Sequence, residues 1–178
     1  MKYRVPEHGR YPNNAEDLED AQQAMRIART NAEAWHIDPN RIGVIGFSAG
    51  GHLAVMLSTH PDFQGKNVPP PSTINARPDF QMDTYPGGLR GPDGKLGPAA
   101  EPNDGVPPTF LVQAENDEVA HVETSLVYYQ ALNDAGIPAE LHLFAEGGHG
   151  FGPRTTKLPA SHWPALAETW LQTIHILR

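Results

Sequence analysis

Ile42-Gly43-Val44-Ile45-Gly46-Phe47-Ser48-Ala49-Gly50-Gly51-His52-Leu53-Ala54 is the stretch whose reading decides the fold. Ile42–Gly46 is uncharged and rich in β-branched side chains, the composition of a strand buried on both faces of a parallel sheet. From about Gly50 to Thr59, the spacing of Leu53, Ala54 and Leu57 predicts a helix with one apolar face. A strand that passes straight into a helix through Gly46-Phe47-Ser48-Ala49-Gly50 puts the serine on a tight turn. Its hydroxyl then stands above the end of the sheet, where neighbouring side chains would collide, so glycines flank it. The backbone N–H of Ala49 opens the helix, where the helix dipole favours negative charge. The pentapeptide G-x-S-x-G recurs by chance on its own. Its place between strand and helix gives it meaning, against the alternative of a plain glycine-rich turn that binds an anion.

Upstream, Leu18, Ala21, Met25, Ala28, Ala32 and Trp35 recur at steps of three and four. They predict a helix over about 14–36 buried along that stripe, with Asp17, Asp20, Gln22, Gln23, Arg26 and Arg29 off it. Asn13 followed by Glu16 gives it a capping-box-like start. Downstream, 79–85 and Thr109–Ala114 read as strands, and about 122–135 as a helix stopping at Gly136. Residues 139–144 alternate as a strand, with Leu141 and Leu143 on one face and His142 and Phe144 on the other. A last helix over about 161–177 places Trp163, Leu166, Trp170 and Ile174 on one stripe. Proline and glycine concentrate in 61–71 and 86–108, which read as loops. This alternation predicts an α/β fold, a parallel sheet flanked by helices on both faces, in a single domain spanning 1–178.

Composition narrows the function. A formal net charge of −8 with no run of Lys or Arg argues against a nucleic-acid partner. No apolar stretch is long enough to span a bilayer, and Lys2–Pro6 lacks the apolar segment of a signal peptide. A soluble chain with no membrane partner is therefore expected, its native N-terminus left open. With no cysteine, disulfides, thiolate metal sites and cysteine nucleophiles are excluded. No HExxH pattern occurs, and neither metal nor cofactor is assigned.

A serine hydroxyl needs a base near neutral pH. Of the 9 histidines, His149 in Gly147-Gly148-His149-Gly150-Phe151-Gly152 is the candidate. It lies just past the last strand, in a glycine-rich loop that lets the ring reach over the sheet. The plain alternative is a loop histidine; His52, His60, His121 and His162 read as structural or exposed. The base in turn needs a carboxylate to fix its tautomer. The loop after Thr109–Ala114 offers Glu115, Asp117 and Glu118, of which Asp117 is the choice and Glu115 the fallback. Any of these could instead be a solvated loop acid.

Taken in order, these motifs resemble the α/β-hydrolase esterases of the acetyl-xylan-esterase and hormone-sensitive-lipase-like kind. Lys2-Tyr3-Arg4-Val5-Pro6 is similar to the segment closing that family's fourth strand, and Ile37–Ala54 to its elbow region. Asn116-Asp117-Glu118-Val119 with Glu123-Thr124-Ser125 is similar to its acid loop, and Gly147–Phe151 to its histidine loop. His121 stands where the family has proline. The resemblance implies Ser48 as nucleophile, Asp117 as acid and His149 as base, in the family's chain order. It implies Ala49 as oxyanion donor, with Gly46, Phe47 and Gly50 shaping the turn. The activity it implies is hydrolysis of carboxylic esters through an acyl-serine, on short acyl groups and acetyl above all, carried by small esters or acetylated carbohydrate. The rival readings are a non-enzymatic fragment or degenerate homologue, and a serine peptidase of the same fold.

The family also has strands before the Tyr3-Arg4 segment, one ending in a His-Gly-Gly loop that supplies oxyanion donors. This sequence reads as the C-terminal half of that fold, and Gly87-Gly88 does not replace the loop. Two expectations follow. Activity is weak for want of donors, and Ile42–Gly46 is an exposed edge through which a homodimer can form.

Overall fold

The computed structural model describes residues 1–4, 15–64 and 73–177. Four strands, β1 (Val44–Phe47), β2 (Gln81–Thr84), β3 (Thr109–Ala114) and β4 (Ala139–Phe144), form one sheet in sequence order. Every pairing is parallel. Four helices accompany it: α1 (Ala15–Thr30), α2 (Ala49–Thr59), α3 (Glu123–Asp134) and α4 (Trp163–Thr173).

The two-residue period of a strand divides the core into two layers. On one face Leu111 packs with Leu18 and Met25 of α1, Leu53 and Leu57 of α2, and Tyr128 and Leu132 of α3. On the other, Phe110 and Val112 pack with Met82 and with Trp163, Ala167 and Trp170 of α4. Leu166, Ile174 and Phe144 join that second layer. Helices thus cover both faces of a parallel sheet, as the alternation of elements predicts.

The register sets where chemistry can occur. Phe47 lies beside Thr84, Thr84 beside Val112, and Val112 beside His142. β1 and β2 therefore finish level while β3 and β4 run two residues further, and the residues that follow the strands meet beyond one end of the sheet. In open parallel sheets that crevice is where ligands bind.

Several expectations are corrected. Regular α1 ends at Thr30 rather than His36. At Ala32 the backbone bond shifts to Arg29, and Ile37 N–H to Ala32 O with His36 N–H to Glu33 O closes the last turn. His36 takes φ 56° there, the left-handed C′ position usually given to glycine. Trp35 lies past this interruption and is 54% exposed, not buried. Asp17 and Gln22 are buried although the helical stripe leaves them out. Gln22 earns its place by donating to the carbonyls of His60 and Pro61, both at 2.9 Å, where α2 ends. The predicted cap at Asn13 lies outside the described residues.

Strand β1 begins at Val44, not Ile42, and is not buried on both faces. Among the described residues only β2 pairs with it, so it forms one edge of the sheet and Ile45 is 48% exposed. The last helix is shorter than 161–177: a 3₁₀ turn over Pro159–His162 leads into α4, which stops at Thr173. His175 at φ 60° terminates it much as His36 terminates α1.

Candidate active site

Ser48 sits between β1 and α2 at φ 54° and ψ −116°, a region of backbone space that L-residues rarely occupy. Its N–H donates to Thr84 O at 3.0 Å, keeping the turn on the sheet. Its carbonyl accepts the N–H groups of Gly51, His52 and Gly87 at 3.0 to 3.2 Å. Gly46 is obligatory, because a Cβ there would stand 2.0 Å from Gly50 O. The expectation of crowding at Gly50 is corrected: a Cβ at Gly50 would meet open space. What Gly50 contributes is a backbone that Gly46 must approach closely. Phe47, the residue before the serine, packs on Trp163 of α4 with ring centroids 6.1 Å apart. Ala49 is the first residue of α2.

His149 arrives from the loop after β4. Its Nε2 lies 2.8 Å from Ser48 Oγ. Its Nδ1 lies 2.8 Å from Asp117 Oδ2 and 3.1 Å from Oδ1. The carboxylate only accepts, so Nδ1 carries the proton and Nε2 accepts from the serine hydroxyl. Asp117 is 2% exposed. Its Oδ1 takes the N–H groups of Val119 and Ala120, both at 2.9 Å, and its Oδ2 the Gln113 amide at 3.3 Å. Glu115 and Glu118 are exposed on the same loop. The structure thus brings Ser48, His149 and Asp117 together and leaves the fallback Glu115 out.

Three residues that sequence reasoning does not single out support this chain of bonds. Gln113 donates to Ala120 O at 2.7 Å and accepts from Ser125 Oγ at 3.0 Å, tying the acid loop to α3. Asn116 Oδ1 accepts the N–H groups of Gly147 and Gly148, at 3.0 and 2.8 Å, stapling the acid loop to the histidine loop. Tyr85 packs its ring against the His149 imidazole, centroids 5.0 Å apart. Only Asn116, next to the chosen aspartate, carries a sequence signal.

The competing histidine is disposed of by geometry. His52, one helical turn beyond Ser48, is buried, and its Nδ1 reaches Gly87 O at 3.1 Å. Burial pushes it down to about 4, so it is neutral near pH 7. His60, His121 and His162 are exposed. Gly87 N–H is committed to the Ser48 carbonyl, which agrees with reading Gly87-Gly88 as no substitute for an oxyanion loop. Among the described residues no group of three or more His, Cys, Asp or Glu could hold a metal ion, and no helix is long and apolar enough to cross a membrane.

The BD-FAE family matches residues 1–82, and the Prolyl oligopeptidase family matches residues 95–173. The acetyl ester-xyloside bifunctional hydrolase of Caldicellulosiruptor lactoaceticus superposes with a TM-score of 0.85 at 34% identity, covering 99% of this chain and 71% of that one. The chain belongs to the α/β-hydrolase family. A second member, the α/β hydrolase MGS-M1 from a Medee basin deep-sea metagenome library, superposes with a TM-score of 0.76 at 31% identity, covering 98% of this chain and 70% of that one. An acetylxylan esterase of Xylanibacter ruminicola is 32% identical over 168 residues, 85% of this chain. The chain spans about a third of that relative's length, 34%. Within the α/β-hydrolase chain the two family matches divide the site: the first contains Ser48, the second Asp117 and His149.

Proposed function

We propose that this α/β-hydrolase is a serine carboxylic ester hydrolase acting on short acyl esters, acetyl above all, including those carried by carbohydrate. The observation that carries the reading is the unbroken chain of hydrogen bonds from Ser48 Oγ through His149 to buried Asp117. His149 Nε2 takes the serine proton as Oγ attacks the ester carbonyl. The Ala49 N–H, at the positive end of α2, is the donor assigned to the developing oxyanion. Collapse expels the alcohol, which takes the proton back from His149. Water activated by the same imidazole then attacks the acyl-serine and releases the acid. Asp117 holds the tautomer throughout and stabilises the imidazolium. The acetyl and xylan preference rests on kinship with the Xylanibacter ruminicola and Caldicellulosiruptor lactoaceticus proteins.

The test compares p-nitrophenyl acetate, butyrate and palmitate, followed by acetate release from acetylated xylo-oligosaccharides. The acetyl ester is expected to be cleaved fastest and the palmitate slowest; a palmitate preference would reverse the substrate class. A peptidase is the second reading, supported by the match of residues 95–173 to the Prolyl oligopeptidase family. Turnover of a Gly-Pro anilide without ester turnover would favour it. As a partner, a second copy of this chain pairing through the outer edge of β1 is the assembly we propose.

A further inference from the structure

Tyr85 is the first residue past β2, and its backbone is twisted into the left-handed region at φ 40°. Its N–H still donates to Val112 O at 2.7 Å, so the chain leaves the sheet in the act of making this turn. A residue that merely filled the core would have no need of such a conformation, which costs a side chain other than glycine appreciable strain. The twist delivers the ring to a specific place. It stands T-shaped to the His149 imidazole, centroids 5.0 Å apart and planes at 62°. It also meets Phe151 at 4.6 Å and Phe47 at 6.0 Å. Its hydroxyl lies beside Gly152, whose O accepts from Trp163 Nε1 at 2.8 Å. The side chain is 4% exposed. One ring therefore touches the residue before the nucleophile, the base, and the loop that carries the base.

We propose that Tyr85 is a positioning residue of the ester hydrolysis: its ring, packed against His149 and against Phe151 of the same loop, fixes the plane of the His149 imidazole. This rests on the reading of Ser48, His149 and Asp117 as acyl-transfer machinery. In the free protein the imidazole is held at both nitrogens, by Ser48 and by Asp117. Once Ser48 is acylated its Oγ has no proton to donate, and the bond at Nε2 is gone. The imidazole then hangs from Asp117 alone, free to swing about that bond, at the moment when it must aim a water at the acyl carbon. The Tyr85 ring supplies the missing constraint. Its effect falls on turnover, most of all on deacylation, and not on substrate binding.

The experiment compares Tyr85→Leu and the more adaptable Tyr85→Met with Tyr85→Phe, which keeps the ring. Turnover is expressed per active site titrated with a fluorophosphonate, so a loss of folded protein leaves the readout unmoved. Both ring-deleting variants are expected to lose about tenfold in kcat with KM not raised, and Tyr85→Phe to stay within about threefold of the parent. Unchanged kcat per titrated site in the Leu and Met variants would overturn the proposal, including the case in which bulk activity falls only because fewer sites titrate. Parent protein with no turnover that depends on Ser48 would instead sink the hydrolase reading. The positioning claim is then decided by ¹⁵N resonances of the His149 ring, expected to broaden in Tyr85→Leu and Tyr85→Met relative to parent; unchanged lines would contradict it.

Discussion

Asp117 illustrates how much of one residue's role lies in its donors. All its partners give it hydrogen bonds, and the imidazole proton is one of them. Asp117→Asn should keep the fold yet lower kcat roughly 10³–10⁴-fold, because an amide cannot hold the Nδ1–H tautomer. Ser48→Ala and His149→Ala should each remove nearly all turnover, and the double variant should cost little more, since they act as a unit. Two of the buried groups outside the candidate triad bias the pH dependence of stability with opposite signs. His52 is neutral in the fold, held down to about 4, but binds a proton in the unfolded chain below about 6.5. Its contribution is complete above that range and lost as pH falls towards 4, on the order of 2–3 kcal/mol. His52→Asn, which keeps a donor for Gly87 O, should flatten that acid limb in urea titrations at pH 7.5 and pH 5. Asp83 is fully buried, and neither of its carboxyl oxygens has a hydrogen-bond partner among the described residues. Burial pushes its carboxyl well above the usual range, so the folded state holds a proton that the unfolded state releases. Stability from this group falls as pH rises, and Asp83→Asn should gain on the parent between pH 5 and pH 8. The triad candidates were legible because serine, acid and histidine each follow a strand in a recognisable setting. Tyr85 was not, since its partners His149 and Phe151 lie far off in sequence, and Gln113 was not, since no local pattern marks one polar residue of a buried strand.

At the scale of elements, β3 and β4 have the bounds that alternation and β-branched composition predict, and α2 starts within a residue of expectation. The ends of α1 and α4 were not legible. Both close on histidines in the left-handed conformation, His36 and His175, where the sequence rule looks for glycine. The strand–turn–helix itself makes a sharp prediction. Gly46→Ala would drive a Cβ into Gly50 O. It should cost about 1–3 kcal/mol of stability in denaturant titration and displace Ser48 from His149, so that residual folded protein loses turnover. The outer edge of β1 makes another. An uncharged strand with half-exposed Ile45 at its centre is the kind that pairs with another copy unless a charge blocks it. Light scattering across a concentration series should show a dimer that Ile45→Lys disperses. A monomeric parent at every concentration would remove the edge from the account.

For the molecule as a whole, the folding problem and the functional problem have one solution. The candidate nucleophile lies 101 residues before its base in sequence, and the acid 32 before it. Parallel strands that all end on one side of the sheet bring the three together, and the loops after β1, β3 and β4 each carry one of them. If Ser48 is a nucleophile activated by His149, covalent capture shows it without assuming a substrate. The folded chain is treated with a fluorophosphonate and digested, and the adduct is located by mass spectrometry. One adduct per chain is expected, on Ser48, absent in Ser48→Ala and slowed at least a hundredfold in His149→Ala. An adduct on another serine, or none in a sample shown to be folded, would contradict it.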